Sequence, residues 1–245
     1  MAITRADIGG AGRVKFGTSP ALDDGIIAGG WATVGNEWAT YGAIGFAPLS
    51  SYLLDQSPTT WVAASNVKVS TVNPAAMPSS KTINSLNITT SNAQNRTVNL
   101  GAAARVLTIG SGGILSSLRN HAITNGILTS GGSELVITVT SNQLQVTSSI
   151  QGAGKALTKG GVGLLIVDGT NTYTGKTYLN NGTVRITRDN NFGAAPAALV
   201  PDQLQINGGT LQMNNTMAFN VNRGVSIGDA CGRSEDGIDN TKVFT

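Results

Sequence analysis

From Lys81 onward the chain is built of apolar runs too short and too regularly interrupted to be helical. "INSLNIT", "RTVNL", "RVLTI", "GILSS", "AITNGILTS", "ELVITV", "QLQVTSS", "LLIVDG", "KTYLN", "TVRIT", "QLQIN", "TLQMN" and "GVSIG" follow one another with Gly, Asn or Ser between them. Most carry two or three apolar residues at period two, the spacing of a strand with one face buried. With 32 glycines and 12% charged residues among 245, the composition agrees with strands and turns. An antiparallel sandwich, a closed barrel and a parallel β-solenoid can each use such a pattern. Strands of three to five residues joined by Gly, Asn and Ser corners are short for a sandwich. They suit a coil in which three strands and three bends make a rung of roughly 20–27 residues. Rungs stacked at ~4.8 Å would make seven or eight of them a rod about 35–40 Å tall, filled by inward Leu, Ile and Val. Faint echoes, "GGILSS" at 112–117 with "NGILTS" at 125–130 and "NGTVRI" at 181–186 with "GGTLQM" at 208–213, fit stacked equivalents.

Residues 1–60 differ. Trp31 and Trp38 lie there with Tyr41, Phe46 and Tyr52, Trp61 follows at once, and aromatics then become rare. We therefore expect an irregular aromatic capping region over 1–60 and β-helix rungs over 61–245, ending in an open rung that would pair with another chain. Trp31, Trp38 and Tyr41 are the candidates for ligand contact, as a sugar-stacking platform, against the plainer role of covering the first rungs. The 16 Lys and Arg are scattered singly and form no basic stripe, so no nucleic-acid partner is expected. Lys68, Lys81, Arg96, Arg105 and Arg119 read as solvated outer positions. The lone Cys231 excludes an intrachain disulfide framework. "MAITRADIGGAG" has no apolar core of a signal peptide, and no run is long enough for a membrane helix.

The search for chemistry returns no catalytic residue, metal site or cofactor. His121, the only histidine, has no acid nearer in sequence than Glu134 and no strained nucleophile turn beside it, and reads as a turn residue. "GAGKAL" at 152–157 lacks the first glycine and the hydroxyl of a phosphate loop, and "GGVGLL" at 160–165 has Leu165 where a calcium-binding repeat needs aspartate. Asp168, Asp189 and Asp202 stand at irregular intervals, with nothing to bring two of them to the spacing that glycoside hydrolysis requires. The Glu235, Asp236 and Asp239 group reads as a solvated loop.

One stretch is more specific. Leu157-Thr158-Lys159, Gly161 and Gly163, "LLIV" at 164–167 and "NTYTGKTYLNNGTV" at 171–184 follow one another in order. Together they resemble the autotransporter-associated β-strand repeat of bacterial passenger domains, centred on 152–186. Leu165 and Asp168 replace the small polar residue and the serine common in that motif. The resemblance implies a right-handed parallel β-helix displayed on, or released from, a bacterial surface: a non-enzymatic structural or adhesive module whose partner is a surface glycan or a ligand on a host or neighbouring cell, with end-to-end self-association at its open rung. A complete protein of that kind carries a secretion signal and a membrane barrel; neither pattern is present, so a piece of a larger protein is expected, touching the membrane only through other parts. A polysaccharide-binding or polysaccharide-cleaving β-helix enzyme is the alternative.

Overall fold

The computed structural model describes residues 2–3, 16–90 and 92–228. Among them helix is confined to two single 3-10 turns, Pro58–Thr60 and Asp189–Phe192. Three parallel sheets, of nine, six and four strands, carry the chain from residue 53 to residue 227. The long sheet contains Asn66–Val69, Ser85–Ile88, Gly113–Ser116, Glu134–Val139, Ala156–Gly160, Thr177–Leu179, Val200–Ile206 and Arg223–Ile227, with Leu53–Leu54 at its first edge. The second runs from Thr97–Asn99 through His121–Thr124, Gln143–Val146, Leu164–Val167 and Thr183–Ile186 to Thr210–Met213. The third stacks Lys81–Ile83, Val106–Ile109, Ile127–Ser130 and Ser149–Ile150. The chain visits the sheets in turn and comes back parallel to itself, a β-solenoid of about seven turns.

Register makes the core a set of columns. Along the long sheet Val67, Leu86, Ile114, Ile137, Lys159, Leu179, Ile206 and Ile227 lie one above another. In the second sheet the corresponding column is His121, Leu144, Leu165, Val184 and Leu211. A slip of one residue would turn every one of these side chains outward, so the period-two pattern enforces the register. Ile114, Ile137, Leu144 and Leu165 are fully buried. Truncating any one to alanine should cost about 2–5 kcal/mol. Corners are stitched by asparagine, as in Asn125 Nδ2 to Asn99 Oδ1 at 2.9 Å and Asn207 Nδ2 to Asn180 Oδ1 at 3.0 Å.

Residues 21–48 form antiparallel hairpins. Leu22–Asp23 pairs with Ile26–Ile27 across Asp24-Gly25, both at positive φ, the geometry of a two-residue hairpin turn. Thr33–Val34, Glu37–Gly42 and Gly45–Pro48 make a meander, and Ala2–Ile3 adds a parallel strand beside Thr33–Val34. This unit lies on the outer face of the long sheet. Trp38, Ile26 and Leu49 bury the outward Leu115, and Asn66 and Asn84 donate their amides to the Asp24 and Asp23 carbonyls. Lys68 is paired with Glu37 beside them. Gly30 and Gly113 touch backbone to backbone: a Cβ on Gly113 would sit 2.6 Å from the Gly30 carbonyl oxygen.

Candidate functional site

The segment 156–186 builds its corners from Gly, Asn and Thr and from one buried lysine. Leu157 fills the core, Thr158 points outward and Lys159 points inward again, into the aliphatic column between Ile137 and Leu179. Its Nζ donates to the carbonyls of Gly160 and Gly161, both at 2.6 Å, and of Asn181 at 3.2 Å. The lysine thus ties the corners of two successive turns from inside. Burial draws its pKa down from the ordinary lysine value to about 7. Tyr173 is wholly enclosed with its hydroxyl 2.7 Å from Thr177 Oγ1, and Asn171 accepts from Ile150 N and donates to the Asn191 carbonyl. Gly175 passes so close to Lys155 that a Cβ would lie 2.4 Å from its carbonyl oxygen.

The hairpin unit covers the Gly113 and Leu115 rung and reaches the next one through Asn36, whose Oδ1 accepts from Thr140 Oγ1 at 3.1 Å; beyond it the rungs leave a step. Gly30 is pinned on Gly113, which places Trp31 over the rungs that follow. The step is a groove of about 390 Å³ with Thr138, Thr158 and Gly160 in its lining and Trp31 and Val162 as exposed apolar residues on it. None of the side chains lining it carries a formal charge. Gly160 keeps the floor low, since a Cβ there would come within 3.3 Å of Thr138 Oγ1. Thr158 Oγ1 bonds Glu134, and through Thr158 and Asn180 the groove continues into a more open hollow beside Tyr178 and Lys176.

The structure separates the three aromatic candidates. Trp31 is 43% exposed on the groove, whereas Trp38 is fully enclosed against the sheet and can touch no ligand there. Tyr41 stacks on Phe16 and meets Phe46 edge-on, its hydroxyl 2.7 Å from Phe16 N. Two other readings are corrected. Arg96 is not a solvated residue: it is buried, with Nε on the Ser70 carbonyl and Nη2 on Asn92. His121 opens a strand instead of occupying a turn, in the inward column above Leu144. Its Nδ1 accepts from Arg96 N at 2.9 Å and its Nε2 faces the Ser117 carbonyl at 2.8 Å, which fixes the proton on Nε2. Burial first, and then the Arg96 charge, hold its pKa below the usual imidazole value. The acids serve structural partners: Asp168 accepts from Gln145, Asp202 pairs with Lys176, and Asp189 pairs with the buried Arg223. The Glu235, Asp236 and Asp239 group, and Cys231, lie outside the described residues.

A parallel solenoid with a lateral hairpin unit does not by itself declare a function. Over 102 residues the chain is 34% identical to the adhesin BmaC autotransporter of Brucella suis biovar 1 (strain 1330). The match takes in 42% of this chain and 2% of that much longer protein. No family model matches the sequence, so no repeat family is identified, and no solved structure matches it. The similarity and the solenoid together fit an autotransporter-type passenger. Among the described residues no helix is long and apolar enough to cross a membrane.

Proposed function

We propose that this chain is a non-enzymatic structural and adhesive module of a bacterial surface or secreted protein, a stiff segment that holds binding surfaces away from the envelope. The observation that carries the reading is the parallel pairing of the long sheet, which runs from Asn66 to Ile227 with a single register shift between Val200 and Leu204. Every rung is bonded to the one before and the one after it, so bending the rod means breaking backbone hydrogen bonds and unstacking aliphatic columns together. The adhesin similarity supports a surface setting. The commitment of Asp168, Asp189 and Asp202 to Gln145, Arg223 and Lys176 supports a role without catalysis.

Small-angle scattering of the isolated chain tests the reading, with the profile of a seven-turn solenoid carrying a lateral hairpin unit expected and a profile that departs from that shape contradicting it. Incubation with a panel of polysaccharides tests the absence of catalysis: the panel should come back intact, and new reducing ends or unsaturated products would overturn it.

A further inference from the structure

The hollow beside Trp31 has the chemistry of a sugar site. We propose that it binds a neutral oligosaccharide, with the Trp31 indole stacked on one pyranose face and the Thr138–Gly160 and Thr158 steps beneath the chain of sugars. Carbohydrate rings present an apolar face of C–H groups and a rim of hydroxyls, so they are recognised by an exposed aromatic ring set against uncharged donors and acceptors. The groove offers this combination. Trp31 is the tryptophan among the described three that solvent reaches, since Trp38 and Trp61 are 0% and 2% exposed. The lining bears no formal charge although the chain as a whole is at +3, which favours a neutral occupant over an anionic one.

Polar groups are set for hydroxyl partners. Asn180 Oδ1 is taken by Asn207 Nδ2 and Asn181 Oδ1 by Gly182 N, which leaves the NH2 groups of these exposed amides as donors, while Thr158 and Thr140, whose hydroxyls donate to Glu134 and Asn36, keep acceptor lone pairs. The floor is rigid, because Lys159 holds the Gly160, Gly161 and Asn181 carbonyls from within. Continuity with the hollow at Tyr178, through Thr158 and Asn180, gives room for a second sugar, and the two charged residues lining that hollow, Glu134 and Lys176, are of opposite sign and add no net charge. The proposal deepens the surface-module reading by naming the partner that module would meet; the scattering result decides the module and the titration below decides the groove, so the two can fail separately.

The test is a titration of the full chain with neutral oligosaccharides (cellopentaose, mannopentaose and chitotetraose) and with an anionic one, heparin hexasaccharide. Acrylamide quenching of tryptophan emission is the readout, because it reports on Trp31. A saturable protection of Trp31 by at least one neutral oligosaccharide is expected, insensitive to 0.5 M salt. Trp31→Ala should weaken binding, followed calorimetrically, at least tenfold. Gly160→Ala, which raises the floor against Thr138 Oγ1 and leaves the indole in place, should also weaken binding while the protein still unfolds in one cooperative thermal transition. Absence of protection by all three neutral sugars, equal binding by both variants, or protection by heparin alone that vanishes with salt would each overturn the assignment.

Discussion

Lys159 offers the sharpest quantitative prediction, because a cation in an aliphatic column must leave a trace in the pH dependence of stability. Unfolded, this lysine keeps its proton up to about pH 10.4. Folded, it begins to lose it near pH 7, since burial penalises the charged form. Between those values the unfolded chain binds more protons than the folded one, so stability rises with pH, by at most about 1.4 kcal/mol per unit. From pH 7 to pH 9 the integrated gain is about 2 kcal/mol, and below pH 7 the cost of burying the charge is present in full. Lys159→Met keeps the length of the side chain and removes the titration. It also strips the Gly160, Gly161 and Asn181 carbonyls of their donor, so its stability relative to the parent at one pH mixes two opposing effects. The difference in pH slope does not mix them, since every other group is shared. Urea unfolding of both proteins at pH 6.5, 7.5, 8.5 and 9.5 reads it. The parent should gain stability relative to the variant across the series. Parallel pH profiles would refute the argument, and would mean that the three carbonyls hold the proton on Nζ against desolvation.

Other consequences can be measured alongside. His121 is neutral in the fold with its pKa lowered, so it contributes stability that is present above pH 6.5 and lost as pH falls; His121→Leu should flatten that acid limb in urea midpoints between pH 7 and 5. Gly113→Val drives side-chain atoms into Gly30 and should free the hairpin unit, seen as new proteolytic cleavage within 21–52 while the rungs stay resistant. Tyr173→Phe loses the bond to Thr177 Oγ1 and should cost about 1 kcal/mol in urea unfolding, with no change in scattering profile. Arg223→Leu leaves the Phe192 and Gly193 carbonyls and Asp189 without their partner, and should cost on the order of 3 kcal/mol.

Much of the solenoid is legible in the chain because period two and corner residues act locally. "INSLNIT" bends at Asn84, and "AITNGILTS" at Asn125-Gly126, where both residues take positive φ. The same period two also marks the buried polar residues that a charge-based reading puts outside. Lys159 stands two residues after Leu157, Arg96 two before Val98 and His121 two before Ile123, each in phase with an inward aliphatic side chain. Phase along the strand would have placed all three inside; residue type alone suggested solvent. Residues 21–48 form hairpins where the sequence reading expects an irregular cap; Asp24-Gly25 and Gly35-Asn36 stand at two of their turns, but no local pattern marks their seat. It depends on Gly30 meeting Gly113 and on Trp38 covering Leu115, contacts between residues some eighty positions apart that no local pattern encodes. The groove exists only through that seat, which is why Trp31 could be picked out in the sequence while its neighbours Thr138 and Gly160 could not.

The stacking itself is open to direct measurement along the outward column Thr97, Ala122, Gln145, Ile166, Arg185 and Gln212 of the second sheet. Spin labels at Gln145 and Gln212, and at Thr97 and Gln212, in a Cys231→Ser background should report backbone separations of about 14 Å and 24 Å, three and five strand spacings. Distances that grow in step with the number of rungs are the signature of one parallel coil; a Thr97 to Gln212 separation equal to or shorter than that of Gln145 to Gln212 would contradict it.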